Sequence, residues 1–478
     1  MPGPGETPSS NTLYESAPKI YPRAIGGFFG RLRWWMVLVT QAVFYGVPWL
    51  QWNGRQAVLF DIEARRFHLF GLVLWPQDFI LLTGLLVCCA LTLFLFTAVA
   101  GRLWCGYACP QTVYTTMFLW IERICEGDGP ARRRLDHAKL SVNKVLRKST
   151  KHAAWGVLAL WTGISFVGYF TPIRTLLPQI ASFTLGPWNG FWVVFYGFAA
   201  YGNAGWMREQ VCKYMCPYAR FQGVMLDPDT VTVSYDAARG EPRGGRSKDH
   251  GQHHEGLGSC VDCGYCVQVC PTGIDIRNGI QIECLNCGLC VDACDAMMKK
   301  MDYPIGLICY TSQAQLFCKA CNRITSKSNG APCGSHAPNP LLRKRVFIYA
   351  TLLILIVSGI LTRVMTRIPV RLDVMRDRAV LSRETPDGNL ENVYRLQVLN
   401  MAERARTFEV QISGLSGAKI EGPNQVIEVG ALENSMVAVD VDVPSEALDK
   451  TRTPFTFTII ARDDSTIQAS SQTLFFRP

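Results

Sequence analysis

Two runs of cysteine carry the chemistry of this sequence. Cys260-x2-Cys263-x2-Cys266-x3-Cys270-Pro271 is followed by Cys284-x2-Cys287-x2-Cys290-x3-Cys294. In this crossed spacing three close thiolates wrap one face of an iron–sulfur cubane, and the fourth reaches the other cubane. It predicts two [4Fe–4S] clusters. Cys260, Cys263, Cys266 and Cys294 hold one; Cys284, Cys287, Cys290 and Cys270 hold the other. Gly264 and Gly288 let the backbone pass close to sulfur. Asp295 stands where a second Pro would be usual. Zinc sites also use Cys pairs, but not two four-Cys runs spaced like these.

A second pattern is shorter and repeated. Cys105-x3-Cys109-Pro110 and Cys212-x3-Cys216-Pro217 both read Cys-x-Tyr-x-Cys-Pro. On a helix, positions i and i+4 share a face, so each pair converges on one point. If the two halves are an internal duplication packed about a pseudo-twofold, four thiols meet, and soft thiolates favour Cu(I). Packing of small Cys side chains and a thiol/disulfide relay are the alternatives. Cys318-x2-Cys321, with Cys333 and Cys309, resembles a zinc or third-cluster site with irregular spacing. Cys88 and Cys89 lie inside an apolar run and read as packing; Cys125 is isolated. His250, His253 and His254 lie in a Gly-rich loop and read as solvated.

These motifs need a scaffold, and the composition indicates a membrane one. Of 478 residues, 49% are hydrophobic and only 18% charged. Uncharged runs at 34–52, 79–100, 153–173, 188–206 and 346–362 are each near the ~20 residues that cross a bilayer. The run 103–121 reads instead as an in-plane or re-entrant helix, because the basic stretch 122–152 that follows belongs in the cytoplasm. Five spans then put the N-terminus and the ferredoxin segment in the cytoplasm and residues 364–478 outside. All 19 Cys fall at or before Cys333, so none lies in that outer part. A disulfide-rich secreted protein would not leave its outer domain without Cys. The net charge of +10 is explained by topology, and no aromatic–basic interleaving points to nucleic acid.

Beyond residue 370 short runs alternate apolar and polar residues, as at 393–399, 407–412, 436–443 and 455–460. They predict an all-β sandwich of immunoglobulin type. The expected fold is therefore a multi-domain membrane protein: an α-helical bundle, a two-cluster bacterial ferredoxin-like α+β segment and a C-terminal β-sandwich. The boundaries are a cytoplasmic tail at 1–30, the membrane core with both Cys-Pro motifs at 31–225, the cluster domain at 226–342, a last membrane helix at 343–365 and a periplasmic domain at 366–478.

The sequence resembles the FixG/CcoG family of cytochrome c oxidase accessory proteins. The resemblance is carried by 104–111 (WCGYACPQ), 212–222 (CKYMCPYARFQ), 235–243 (YDAARGEPR) and 269–275 (VCPTGID), together with the cluster runs and the C-terminal sandwich. It implies a bacterial inner-membrane protein that reduces Cu(II) to Cu(I) for assembly of the cbb-type oxidase. Copper is then the substrate, and Cys105, Cys109, Cys212 and Cys216 the candidate thiols. Expected partners are a copper-exporting ATPase or oxidase assembly factors and an unidentified electron donor, with no nucleic acid. The sequence departs from the family at 307–310 (LICY) and in the Cys that follow. A quinol-linked electron relay and a non-enzymatic assembly scaffold are the alternatives.

Overall fold

The computed structural model describes residues 19–246, 256–316, 343–376, 382–385, 388–421, 425–447 and 451–477. His250, His253, His254, Cys318, Cys321 and Cys333 lie outside the described residues. The chain divides into two compact units between Val357 and Ser358, with 71–73 joining the second.

The first unit is mainly helical. Its helices are α1 (Phe28–Gly46), α2 (Phe79–Ala100), α3 (Leu103–Tyr107), α4 (Pro110–Glu126), α5 (Gly129–His137), α6 (Val142–Val167), α7 (Ile173–Ala181) and α8 (Pro187–Tyr201). A π-helix at Gly202–Met207 continues α8. Helix α9 (Pro217–Met225) follows the second Cys-Pro motif. The run 103–121, expected as one helix, is two. It breaks at Cys109, because Pro110 has no N–H to continue α3 but suits the first turn of α4.

Among the described residues, two helices are long and apolar enough to cross a membrane: α2 and Lys344–Met365. The other three expected spans are also helical, but with different ends. Helix α1 carries Arg31 and Arg33 and stops at Gly46, followed by a 3-10 turn and the strand Gln51–Trp52. Helix α6 opens with Lys144, Arg147, Lys148 and Lys151 before its apolar half. Helix α8 has only 15 residues. Helices α6 and α8 cross closely at small residues: a Cβ on Gly163 would lie 2.3 Å from the Val193 carbonyl oxygen. Cys88 is buried, whereas Cys89 faces outward, so only Cys88 packs inside the chain.

The cluster segment is stitched to these helices. Strands β1 (Thr232–Tyr235) and β2 (Ile308–Thr311) pair antiparallel, and helices α10 (Tyr265–Gln268) and α11 (Leu289–Lys300) each follow a cysteine loop. The first N–H groups of a helix have no partner within it. At α1 they are met by Asp292 of α11, whose carboxylate accepts from Gly30 N–H at 2.8 Å and Phe29 N–H at 3.3 Å. The acid also complements the helix dipole.

The second unit is a β-sandwich. One sheet joins β3 (Val370–Arg376), β4 (Asn389–Asn400), β6 (Lys419–Glu421) and β8 (Asn434–Pro444) in the order β6-β8-β4-β3. The other joins β5 (Arg406–Ser413), β7 (Val426–Val429), β9 (Arg452–Ala461) and β10 (Gln468–Phe476) in the order β7-β5-β9-β10. Alternate residues of both sheets point into one core: Tyr394, Leu396 and Val398 from the first, Phe455, Phe457 and Ile459 from the second. The Tyr394 ring meets Phe455 and Phe457 edge-on at 5.3 Å, and its hydroxyl donates to the Leu474 carbonyl at 2.9 Å. No Cys is needed to join the sheets.

Candidate metal and electron-transfer site

The eight cysteines of the long runs surround two cavities. One is lined by Cys260, Cys263, Cys266 and Cys294. The other is lined by Cys270, Cys284, Cys287 and Cys290, with Cys266 on the wall between them. The two ligand loops have matching backbones. Asp262 and Gly264 in the first, like Asn286 and Gly288 in the second, have positive φ, which curls three thiols toward one point.

The donor set fits iron–sulfur clusters. All eight Cys are free thiols. Burial pushes Cys266 up to about 11 and Cys284 and Cys294 up to about 12, and raises Cys287 and Cys290 as well. Bare thiolates are thus unfavourable here, and a bound cationic centre is what would make them favourable. Among the described residues no three His, Cys, Asp or Glu side chains converge tightly enough to hold a single metal ion. Thiols spread around a cubane meet that description, and it holds equally for Cys105, Cys109, Cys212 and Cys216. Asp295, in the place of a second Pro, accepts from Gly306 N–H at 2.9 Å and so ties α11 to the strand that follows.

The second cluster loop packs directly on the first Cys-Pro motif. A Cβ on Gly106 would lie 2.6 Å from the Leu285 carbonyl oxygen and 3.1 Å from Cys287 Cα, so only Gly fits there. Tyr107 donates its hydroxyl to the Cys287 carbonyl at 3.0 Å. Asn286 donates to the Ala100 carbonyl at 3.1 Å and accepts from Val233 N–H at 3.0 Å, pinning the loop to the end of α2 and to β1.

The two Cys-Pro motifs are neighbours, near enough for charge on their thiols to interact. Charge on Cys109, Cys212 and Cys216 acts on Cys105, and charge on Cys109 and Cys216 acts on Cys212. The repeat extends further than its cysteines. Four residues before each motif the backbone breaks at positive φ: Gly101 at +57°, Arg208 at +34°. Cys109 and Cys216 both cap a helix in extended conformation, with Pro110 and Pro217 at its first position. Reciprocal amides lock the halves. Gln111 donates to the Asn203 and Arg208 carbonyls at 2.8 and 3.0 Å. Gln222 accepts from Cys105 Sγ–H at 3.1 Å and donates to Thr97 Oγ1 at 3.1 Å.

Arg208 is the strained partner in this symmetry, since positive φ is costly outside Gly. It is held by Glu122 at 2.5 Å, by its Nε–H donating to the Gly205 carbonyl at 2.9 Å, and by the Trp155 ring at 5.4 Å. Glu122 also pairs with buried Arg132, and Lys151 pairs with Glu126 at 3.0 Å. Burial works against charge on Glu122, but Arg208, Arg132 and Lys151 outweigh it and hold the carboxyl below its usual range. Arg132 and Lys151 belong to the basic stretch 122–152, and here they are internal partners rather than solvated charges.

Burial pushes Cys105 up to about 12 and Cys212 up to about 11. Burial also raises Cys109, although N–H groups of Gln111 and Thr112 at the start of α4 pull the other way. The cation that offsets part of this is Arg102, which is 3% exposed. Its charge acts on Cys105, Cys212 and Cys284 at once. Its guanidinium donates to Gln222 Oε1 at 3.4 Å and to the Ile282 carbonyl. Arg102 therefore sits between the second cluster loop and the four thiols. Sequence reading passed it over as a spacer between helices; a lone Arg at the foot of a long apolar helix, three residues before a Cys motif, was the available signal. Arg102→Gln is expected to lower the reduction potential of the Cys270/Cys284/Cys287/Cys290 cluster selectively, because a positive charge favours the electron-rich state. Potentiometric titration followed by electron paramagnetic resonance checks this; equal shifts of both clusters contradict the placement.

Cys309 lies on β2, half-buried, with Asp236, Arg239 and Asp295 as its charged neighbours. Cys125 lies on α4.

A family described as a "4Fe-4S dicluster domain" matches residues 207–313, one described as a "4Fe-4S binding domain" matches 82–125, and one described as an "IG-like fold at C-terminal of FixG" matches 360–478. The "Nitrogen fixation protein FixG" of Rhizobium meliloti is 36% identical over 435 residues, covering 86% of this chain and 82% of the relative. The chain belongs to the FixG/CcoG family. "Protein RdxA" of Cereibacter sphaeroides is 38% identical, with 86% of each chain covered. "Protein RdxB" of the same organism is 36% identical, covering 89% of this chain and 88% of the relative. The solved structure of a "FixG-related protein from Vibrio parahaemolyticus" is 21% identical over 23% of this chain and 96% of that one, with a TM-score of 0.21. That score supports no statement about shape. As a FixG/CcoG protein with iron–sulfur domains and an immunoglobulin-like C-terminal domain, this chain is a redox protein of electron transfer.

Proposed function

We propose that this FixG/CcoG protein reduces Cu(II) to Cu(I) for assembly of the cbb-type oxidase, at the thiols Cys105, Cys109, Cys212 and Cys216. The observation that carries this reading is the contact between the first Cys-Pro motif and the second cluster loop, through Gly106 and Tyr107. Bound clusters supply one electron each. Cu(II) takes one electron to become Cu(I), and no proton is required. Sulfur ligands prefer the Cu(I) product, and Arg102 offsets the charge of neighbouring thiolates. Of the four thiols Cys105 is buried and the other three are half-buried.

The reading places the chain in the bacterial inner membrane with five spans, the N-terminus and clusters cytoplasmic and the β-sandwich periplasmic. Support comes from α2 and Lys344–Met365, of whose apolar windows only 11% and 6% are buried inside the protein. Such bare apolar faces suit lipid. A copper-exporting ATPase or an oxidase assembly factor would take the Cu(I). The match of a 4Fe–4S binding family to 82–125 favours a second reading, in which the same four thiols hold a third cluster. Iron content separates the two: about eight atoms per chain for the copper site, about twelve for a third cluster.

The test uses anaerobic protein reduced with dithionite, desalted, then given Cu(II) with a Cu(I)-specific chelator. About two Cu(I) per chain are expected, one for each cluster electron. No Cu(I) above that in buffer would sink the proposal.

A further inference from the structure

A basic pocket opens between the first turns of α1 and the C-terminal half of α4. Four arginines line it, Arg23, Arg33, Arg123 and Arg132, against one carboxylate, Asp128. Val269, Pro271 and Leu289 of the cluster segment complete its wall. Two of the cations are already matched. Arg132 pairs with Glu122 and donates to the Pro22 carbonyl at 2.9 Å. Arg23 lies 3.8 Å from Asp128 and over the Tyr265 ring at 5.0 Å. The nearby acids of α4 are taken up elsewhere: Glu122 also meets Arg208, and Glu126 meets Lys148 and Lys151.

Arg33 and Arg123 are the unmatched pair, with no hydrogen bond or ion pair among the described residues. Arg33 is only 5% exposed. A buried charge without a counter-charge is costly, and a bound anion removes that cost.

The same pocket is aromatic on one side. Trp34 and Trp120 line it, their rings edge-on at 6.1 Å, and both stay partly exposed, 38% and 50%. On α4 the lining residues Thr116, Trp120 and Arg123 stand four and three apart, so they form one stripe. That stripe passes from indole to guanidinium within a turn. Beyond Trp34 on α1, Trp35, Leu38 and Val39 are exposed. Indoles between a bare apolar face and a cluster of Arg mark a membrane–water interface. Basic pockets at the cytoplasmic ends of membrane helices suit anionic headgroups. A free phosphate would leave the two indoles without a partner. We infer that this pocket binds the phosphodiester headgroup of an anionic phospholipid. Arg33 and Arg123 meet its phosphate, and its glycerol and upper acyl chain lie along Trp34 and Trp120. The inference rests on the inner-membrane placement proposed above and is independent of copper.

The experiment uses full-length protein with its clusters, purified anaerobically and delipidated in mild detergent. Native mass spectrometry follows titration with dioleoylphosphatidylglycerol or, separately, dioleoylphosphatidylcholine. Wild-type protein should bind one phosphatidylglycerol saturably, at least about tenfold more tightly than phosphatidylcholine. Arg123→Glu should weaken phosphatidylglycerol binding at least about tenfold, the loss of one charge-assisted contact. Iron near about eight atoms per chain shows that this variant is folded. Arg33→Gln should act in the same direction. Equal binding of the two lipids, or unchanged phosphatidylglycerol binding in both variants, overturns the inference. Displacement of the lipid by millimolar inorganic phosphate overturns it too, since the pocket would then be a site for a soluble anion. Carbonate washing of membranes tests the placement separately. Release of the protein would overturn the membrane reading, whereas a retained protein without lipid preference would overturn the pocket alone.

Discussion

Replacing Cys105, Cys109, Cys212 and Cys216 together by Ser should leave both clusters in place and stop copper reduction. Serine keeps the size of the side chain but offers a hard, neutral oxygen where Cu(I) prefers soft sulfur. Loss of an outer-shell partner alone typically costs 10–100-fold in metal sites, so loss of all four ligands should cost more than about a hundredfold in Cu(I) formation. Iron should stay near about eight atoms per chain, because none of the four belongs to the eight thiols around the two cavities. The measurement pairs an iron assay with Cu(I) capture on dithionite-reduced protein. Unchanged Cu(I) output would show that copper is reduced elsewhere. A fall of iron from about twelve to about eight atoms would identify the four thiols as ligands of a third cluster.

The two clusters should contribute unequally. Cys287→Ala removes a ligand of the cluster whose loop rests on Gly106 and Tyr107. Cys263→Ala removes a ligand of the other cluster, which lines the cavity farther along the chain of thiols. Each variant should lose about four iron atoms. Cys263→Ala keeps the cluster next to the motif and should still yield about one Cu(I) per chain in a single turnover, one for the remaining cluster. Cys287→Ala leaves the remaining electron stranded and should yield almost none. Cys284→Ala, at the same cavity, should repeat the Cys287 result and guards against a local folding failure. Equal Cu(I) yields from the Cys263 and Cys287 variants would contradict the proposed route.

The cluster ligands were legible because their spacing encodes the geometry: short intervals curl one loop around one cubane. The β-sandwich was legible through its alternating strands, where Phe455, Phe457 and Ile459 point inward between polar neighbours. The repeat of the two Cys-Pro motifs suggested that they pack together, but the contacts that join them were not legible. They depend on paired backbone breaks at Gly101 and Arg208 and on the ties from Gln111 and Gln222, which join residues about a hundred positions apart. No local pattern announces such ties. Arg102 was hidden for a related reason, since its value lies in standing between groups from three separate segments. The basic stretch after α4 looked like a uniform cytoplasmic signal, yet Arg132 and Lys151 turn inward to Glu122 and Glu126. Charge counting cannot separate an inward Arg from an outward one. Helix ends were blurred for the same reason that apolar runs overestimate them. Pro110 splits one run, and α8 gives way to a π-helix just where the second motif must be aimed.

The central claim is that electrons held by the clusters pass to copper at the paired thiols. Stopped-flow mixing of anaerobically reduced protein with Cu(II), following cluster absorbance and Cu(I) capture in the same shot, tests it most directly. The account predicts that cluster oxidation and Cu(I) appearance share one time course and one stoichiometry, and that both vanish in the four-Ser variant. Cu(I) appearing while the clusters remain reduced, or clusters oxidised by copper at an undiminished rate without the four thiols, would contradict it.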